Sequence, residues 1–265
     1  MRMKTLNLKL DKEQIIISIC IITSFVFTFF VPKFYAYVIF GKDNFIALPH
    51  FLKIIICHGT NLLLCFLVTF YIANFSFKRM LEILGLNKGI GMAFMLALLA
   101  ALPLLLGMQY LHGFNKEVSF VDVWMEGIHP GYYEEILFRG FVIGILVRYA
   151  KWPALIPLVL SSLLFAMGHL YQAQNFSESI VVFFTAFGVG TGFYLFYKYS
   201  NWNLWFPLFL HSFMDIATTI SNWHGTITMS LQDNIFRGIT IVLAIYISYK
   251  ISKKEKMKNK LGTIS

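Results

Sequence analysis

The sequence predicts an all-α, polytopic integral membrane protein with about eight transmembrane helices. Three observations carry that reading. Of the 265 residues, 58% are hydrophobic and only 13% are charged, about half the charge of an ordinary soluble domain. The mean hydropathy is +0.69. The apolar residues also run in blocks close to the roughly 20 residues that a helix needs to cross a bilayer, rather than in amphipathic stripes.

The first block, 14–32, follows the basic residues Arg2, Lys4, Lys9 and Lys12. It is longer than the apolar region of a secretory signal and no small-residue cleavage site follows, so it reads as a span. Segment 34–53 is aromatic-rich, contains Pro49 and reads as an interfacial loop; 54–75 and 89–111 are the second and third spans. Residues 112–133 are mixed and acidic (Glu117, Asp122, Glu126) and end at Pro130-Gly131. That pair predicts the start of a fourth span, 134–150, with Glu134 and Glu135 in a first turn that favours acids. Blocks 152–170, 180–199, 202–221 and 235–251 complete the set.

The formal net charge is +9, but the basic residues lie at the chain ends and in short loops. That pattern orients helices and leaves no basic face for nucleic acid. With both termini in the cytoplasm, sixteen Lys and Arg fall inside and five outside, Arg139 being intramembrane. The expected location is a cell membrane crossed several times. Cys20, Cys57 and Cys65 lie in apolar blocks with no pairing pattern and read as small hydrophobes. "FGVGTG" (Gly188, Gly190, Gly192) places small residues at i,i+4, a device for close helix packing; without basic or strand context it does not read as a phosphate loop.

Ionisable groups inside a span are costly, at least about 2.5–3.5 kcal/mol each near the bilayer centre, and so point to function. They cluster after residue 130. Glu135 and Arg139 are i,i+4 and share a face, so they can neutralise each other as a structural pair. Glu134 points about 100° away and is left seeking another partner. His169 ends "FAMGH", four residues after Phe165. His211 and Asp215 are again i,i+4 on one helix. Convergence of the three helices is the economical arrangement. His58 has no polar neighbours at helical spacing and reads as a packed or hydrogen-bonded histidine. His50, His112, His129 and His224 read as loop residues.

"EEILFRG", "SSLLFAMGH" and "PLFLHSFMD" resemble, in order and on three separate spans, the EExxxR, FxxxH and HxxxN/D motifs of the CPBP family, the CAAX-protease and bacteriocin-processing membrane proteins. The resemblance implies an intramembrane endopeptidase that hydrolyses a peptide bond of a peptide or protein substrate in or at the bilayer. By position it makes Glu134 the general base and His169 its partner in activating water. Glu135, Arg139 and Phe165 become structural support, and His211 with Asp215 the oxyanion-stabilising pair. Asp215 stands where the eukaryotic branch has Asn, and an ionised Asp cannot donate to an oxyanion. It must be protonated, orient His211 or join a metal shell. Glu134, His169, His211 and Asp215 would make a plausible Zn²⁺ set, although no HExxH is present. A non-catalytic immunity or maturation factor, using the same groups for binding, is the alternative function. The expected organisation is an N-terminal hairpin with its basic tail (1–90), a catalytic helical core (91–222), and a last helix with a basic tail (223–265). On the charge map all three motifs fall in the outer half of the membrane.

Overall fold

The computed structural model describes residues 10–262, with side chains to residue 254. The expected cytoplasmic residues Arg2, Lys4 and Lys9 lie outside the described residues, as do the side chains of Lys256, Lys258 and Lys260. The described chain is helical throughout, with no β-strand and one isolated bridge, between Phe114 and Ser221. The main helices are α1 (Lys12–Thr28), α2 (His50–Ile72), α3 (Phe77–Leu84), α4 (Ile90–His112), α5 (the helical run 120–148), α6 (Leu155–Gly168), α7 (Phe176–Tyr199), α8 (Trp205–Thr219) and α9 (Leu231–Gly262).

Five of these are long and apolar enough to cross a membrane: α2, α4, α6 with its short extension, α7 and α9. A sixth arises if α1 is joined to the helical segment Val31–Ile39 across a 52° bend. Pro32 lies in the first turn of that segment, where its missing N–H is tolerated. Of the eight spans expected, the two that fall short correspond to α5 and α8. These two carry Glu134, Glu135, Arg139, His211 and Asp215, and α8 has only 15 residues.

Three local expectations are corrected. The segment 34–53 is not plain loop, for it forms the short helices Tyr35–Ile39 and Lys42–Ala47. The helix bearing the two glutamates starts at Phe120 rather than near Pro130, capped by the reciprocal Ser119–Asp122 hydrogen bonds. Pro130 is accommodated because the turns before it, Val123–Ile128, are π-helical, and the wider turn relieves the clash a proline imposes in an α-helix. Glu134 and Glu135 therefore sit in mid-helix, where no helix N-terminus satisfies them. Finally, Gly188 and Gly192 face open space. Gly190 is the close-packed glycine of α7, where an added Cβ would lie 3.1 Å from Ser162 Oγ and 3.2 Å from Ser162 Cβ.

Polar contacts lace the bundle at its two ends. At one, Asn115 N–H donates to the Ile220 carbonyl and Asn222 N–H to Gly113 O. There the Gln172 side chain accepts from Ile227 N–H, and His112 pairs with Asp233 at 2.7 Å. His112, expected in a loop, is thus the last residue of α4. At the other end Arg148 donates to the Ile83 and Glu82 carbonyls, capping α3, and to the Tyr197 hydroxyl. Leu204 N–H donates to Gly85 O in the same knot. Between these ends α5 and α8 touch closely at Gly131, where an added Cβ would come within 2.8 Å of Ser212 N and 3.1 Å of Leu208 O. Gly131→Ala is therefore expected to destabilise the protein by about 1–3 kcal/mol by forcing the backbones apart. Gly188→Ala should be neutral, and denaturation in detergent checks the pair.

Candidate functional site

The site grows from a buried ion pair. Glu135 is fully buried and Arg139 is 1% exposed. Arg139 Nη1 lies 2.9 Å from Glu135 Oε1, close enough for an ion pair though off the hydrogen-bond direction. Arg139 Nη2 donates to the carbonyl of Gly190 on α7 at 3.3 Å. Three aromatic rings surround the guanidinium: Phe165 at 4.8 Å, Phe193 at 5.4 Å and Phe138 at 6.0 Å. Their π-faces supply favourable charge–quadrupole contacts where water is absent. One arginine thus ties α5 to α6 and α7, and the π-helical turns Glu135–Gly144 lie where it does so.

Glu135 Oε1 has a second partner. His211 Nδ1, on α8, lies 2.8 Å from it. A carboxylate paired to arginine can only accept, so His211 carries a proton on Nδ1, and its Nε2 is turned to the other side. That nitrogen faces two further carboxylates, Asp215 Oδ2 at 3.5 Å and Glu134 Oε2 at 3.8 Å. The ring also leans on Phe193, 4.8 Å between centroids. Glu134 Oε2 is buried and has no hydrogen-bond partner among the described residues.

The geometry unites five of the seven residues expected at the site: Glu134, Glu135, Arg139, His211 and Asp215. Phe165 touches the cluster through Arg139. His169 does not join it directly. Its Nδ1 lies 2.8 Å from the Phe165 carbonyl of its own helix, and its ring rests 4.4 Å from that of Phe165. Among the described residues no hydrogen bond or ion pair links His169 to Glu134, His211 or Asp215. Because a carbonyl only accepts, the His169 Nδ1 is protonated and Nε2 is its free nitrogen.

The expected zinc set does not assemble. Among the described residues, no three His, Cys, Asp or Glu side chains are placed to hold a metal ion.

Asn61 escaped sequence reasoning, and so did the partners of His58. Asn61 of α2 is 3% exposed and donates to the hydroxyl of Tyr133 at 2.9 Å. His58 lies parallel to the Tyr133 ring at 3.8 Å, with His129 stacked on it at 5.0 Å. His129 is helical rather than in a loop. Helical spacing holds no signal for pairs that are 72 residues apart.

A family model described as type II CAAX prenyl endopeptidase Rce1-like matches residues 116–217. It bears out the resemblance to the CPBP family over the segment that holds all three motifs. No curated protein and no solved structure matches the chain.

Removing one member of a buried pair strands the other charge. Arg139→Met should therefore cost about 3–5 kcal/mol, whereas Glu135→Leu/Arg139→Met together should cost less than the single change. Denaturant titration in detergent micelles measures both.

Proposed function

We propose that the protein is an intramembrane endopeptidase in which Glu134 is the general base and His211 the oxyanion donor. The observation that carries this reading is the gap between Glu134 Oε2 and His211 Nε2. At 3.8 Å it is too long for a hydrogen bond and suits a bridging water or a substrate oxygen. Glu134 Oε2 and Glu135 Oε2 are both buried without a hydrogen-bond partner among the described residues, and it is the Glu134 oxygen that faces His211 Nε2, so it is free to accept from such a water.

In the proposed reaction Glu134 removes a proton as the water oxygen bonds to the scissile carbonyl carbon. The carbonyl electron pair moves to its oxygen, and the oxyanion takes a hydrogen bond from His211 Nε2–H. The imidazolium is balanced by Glu135 on Nδ1 and by Asp215 beside Nε2. Collapse of the tetrahedral species expels the amine, breaking the C–N bond, and Glu134 returns its proton to that nitrogen. The products are a carboxylic acid and an amine. Asp215 thus orients His211 instead of donating to the oxyanion as an Asn would. His169 offers its free Nε2 as a second acceptor for the water. No step runs through a metal. A fixed base of this kind contributes about 10²–10⁴-fold, and a preorganised oxyanion donor about 10²–10³-fold.

The substrate class that the matched family suggests is a protein or peptide at the membrane with a prenylated CAAX end. A quenched fluorescent farnesylated CAAX peptide in lipid nanodiscs is the direct probe, and mass spectrometry of protein termini from expressing membranes is the open one. Glu134→Gln should abolish cleavage, by at least about 10²-fold, while leaving the melting temperature unchanged. The wild type should generate protein termini that this variant lacks. Identical termini from both, with no cleavage of the peptide, would overturn the peptidase and favour a binding role such as immunity or maturation.

A further inference from the structure

We infer that Tyr133, clamped by Asn61 and His58 of α2, is the positioning residue that aims Glu134 at the reacting water. The inference rests on the peptidase reading and extends it to α2, a span that lies outside the matched segment 116–217.

The helix around Glu134 is irregular. The single α-helical stretch His129–Glu134 lies between the π-helical turns Val123–Ile128 and Glu135–Gly144. Residues after Glu134 are pinned by Glu135 and Arg139, but among the described residues Glu134 has no side-chain hydrogen bond to set its direction. Its aim then depends on how the turn 129–134 is rolled about the helix axis. A roll of about 20° moves a carboxylate lying roughly 6 Å from the axis by about 2 Å. A misplacement of about 1 Å already costs on the order of 10²-fold in rate.

Three contacts from α2 resist that roll, Asn61 to Tyr133 and His58 to Tyr133 and His129, and a fourth ties Asn61 to α1. Asn61 donates to the Tyr133 hydroxyl at 2.9 Å. The same amide nitrogen reaches the Thr28 carbonyl, at the end of α1, at 3.5 Å. His58 covers the Tyr133 ring face to face, 3.8 Å apart and 4° from parallel, and lies 5.0 Å from His129 one turn earlier. His58 is thus stacked on two rings of the turn, at its first and fifth residues. A buried asparagine in apolar surroundings is expensive without partners; Asn61 Oδ1 has none among the described residues, so breaking the Asn61–Tyr133 bond would leave the amide with only the 3.5 Å contact to Thr28. The residue after Tyr133 is Glu134. On the far side of the turn, Gly131 lets the α8 backbone approach, so the turn is gripped from both flanks.

The test uses the full chain in nanodiscs with the farnesylated CAAX peptide. Tyr133→Phe keeps the ring stack and removes the hydroxyl, while Asn61→Leu removes the other partner. Each is expected to lower kcat about tenfold with KM within about twofold of wild type, since aim is lost and binding is kept. The double variant should be no slower than either single one, because both remove the same bond. Arg148→Ala, at the opposite end of the bundle, serves as a variant destabilised away from the site. A second readout needs no turnover. In carboxyl-carbon NMR of labelled glutamate, the Glu134 resonance, assigned by its loss in Glu134→Gln, should shift in Tyr133→Phe and stay in place in Arg148→Ala. An unmoved Glu134 resonance in Tyr133→Phe, or single losses that multiply in the double variant, would overturn the inference. Failure of the wild type to cleave would count against the peptidase reading alone, because the resonance still decides the positioning.

Discussion

The structure depends on what becomes of the carboxylate of Glu135. It is fully buried in a helix bundle rich in apolar residues, where an uncompensated charge is costly. Its partners must be brought to it, and they come from different helices. Arg139 lies one turn away on α5 and itself needs the Gly190 carbonyl and the aromatic faces of Phe165 and Phe193. His211 comes from α8 and binds the same oxygen. Satisfying one charge therefore fixes the mutual placement of α5, α6, α7 and α8, which is the framework that any chemistry here requires.

Of the buried oxygens that this framework leaves without a hydrogen bond, the one facing His211 Nε2 belongs to Glu134. Glu134 adjoins Glu135 in sequence but points to a different side, and among the described residues its inner oxygen has no hydrogen-bond partner. Two neighbouring carboxylates are thus given different tasks by orientation alone. Glu135 is spent on holding His211, and Glu134 is held facing its Nε2. Asp215, one turn along α8, lies 3.5 Å from that same nitrogen. Three carboxylates around one imidazole and one guanidinium make a compact polar island, and the aromatic residues Phe138, Phe165 and Phe193 separate it from the surrounding bundle. In the proposed reaction, water held there would meet a base and a donor already in place, so little reorganisation would accompany it.

How much of this was legible in the sequence followed the range of each interaction. Apolar blocks mark helices wherever a span is uniformly apolar, as in α2, α4, α7 and α9. The Glu135–Arg139 and His211–Asp215 proximities are i,i+4 relations and were readable directly. The start of α5 was not, because Pro130-Gly131 looks like a boundary and the π turns that absorb the proline leave no compositional mark. The three glycines of "FGVGTG" mark α7 as closely packed without telling which of them makes the contact. Gly188 and Gly192 have the spacing, but the face of α7 turned to Ser162 is that of Gly190. The bonds from Glu135 to His211 and from Asn61 to Tyr133 join residues 76 and 72 positions apart, so only the fold reveals them. His169 shows the converse. The motif match placed it with Glu134, while the structure engages its Nδ1 with its own helix.

The central claim is that Glu135 holds His211 with a proton on Nδ1, so that Nε2 faces Glu134. Nitrogen NMR of the isotopically labelled histidine ring, in wild type and in Glu135→Gln, tests this most directly. The account predicts that Nδ1 of His211 is protonated in the wild type and that its resonance changes markedly in the variant. An unprotonated Nδ1, or a His211 spectrum indifferent to Glu135→Gln, would contradict it.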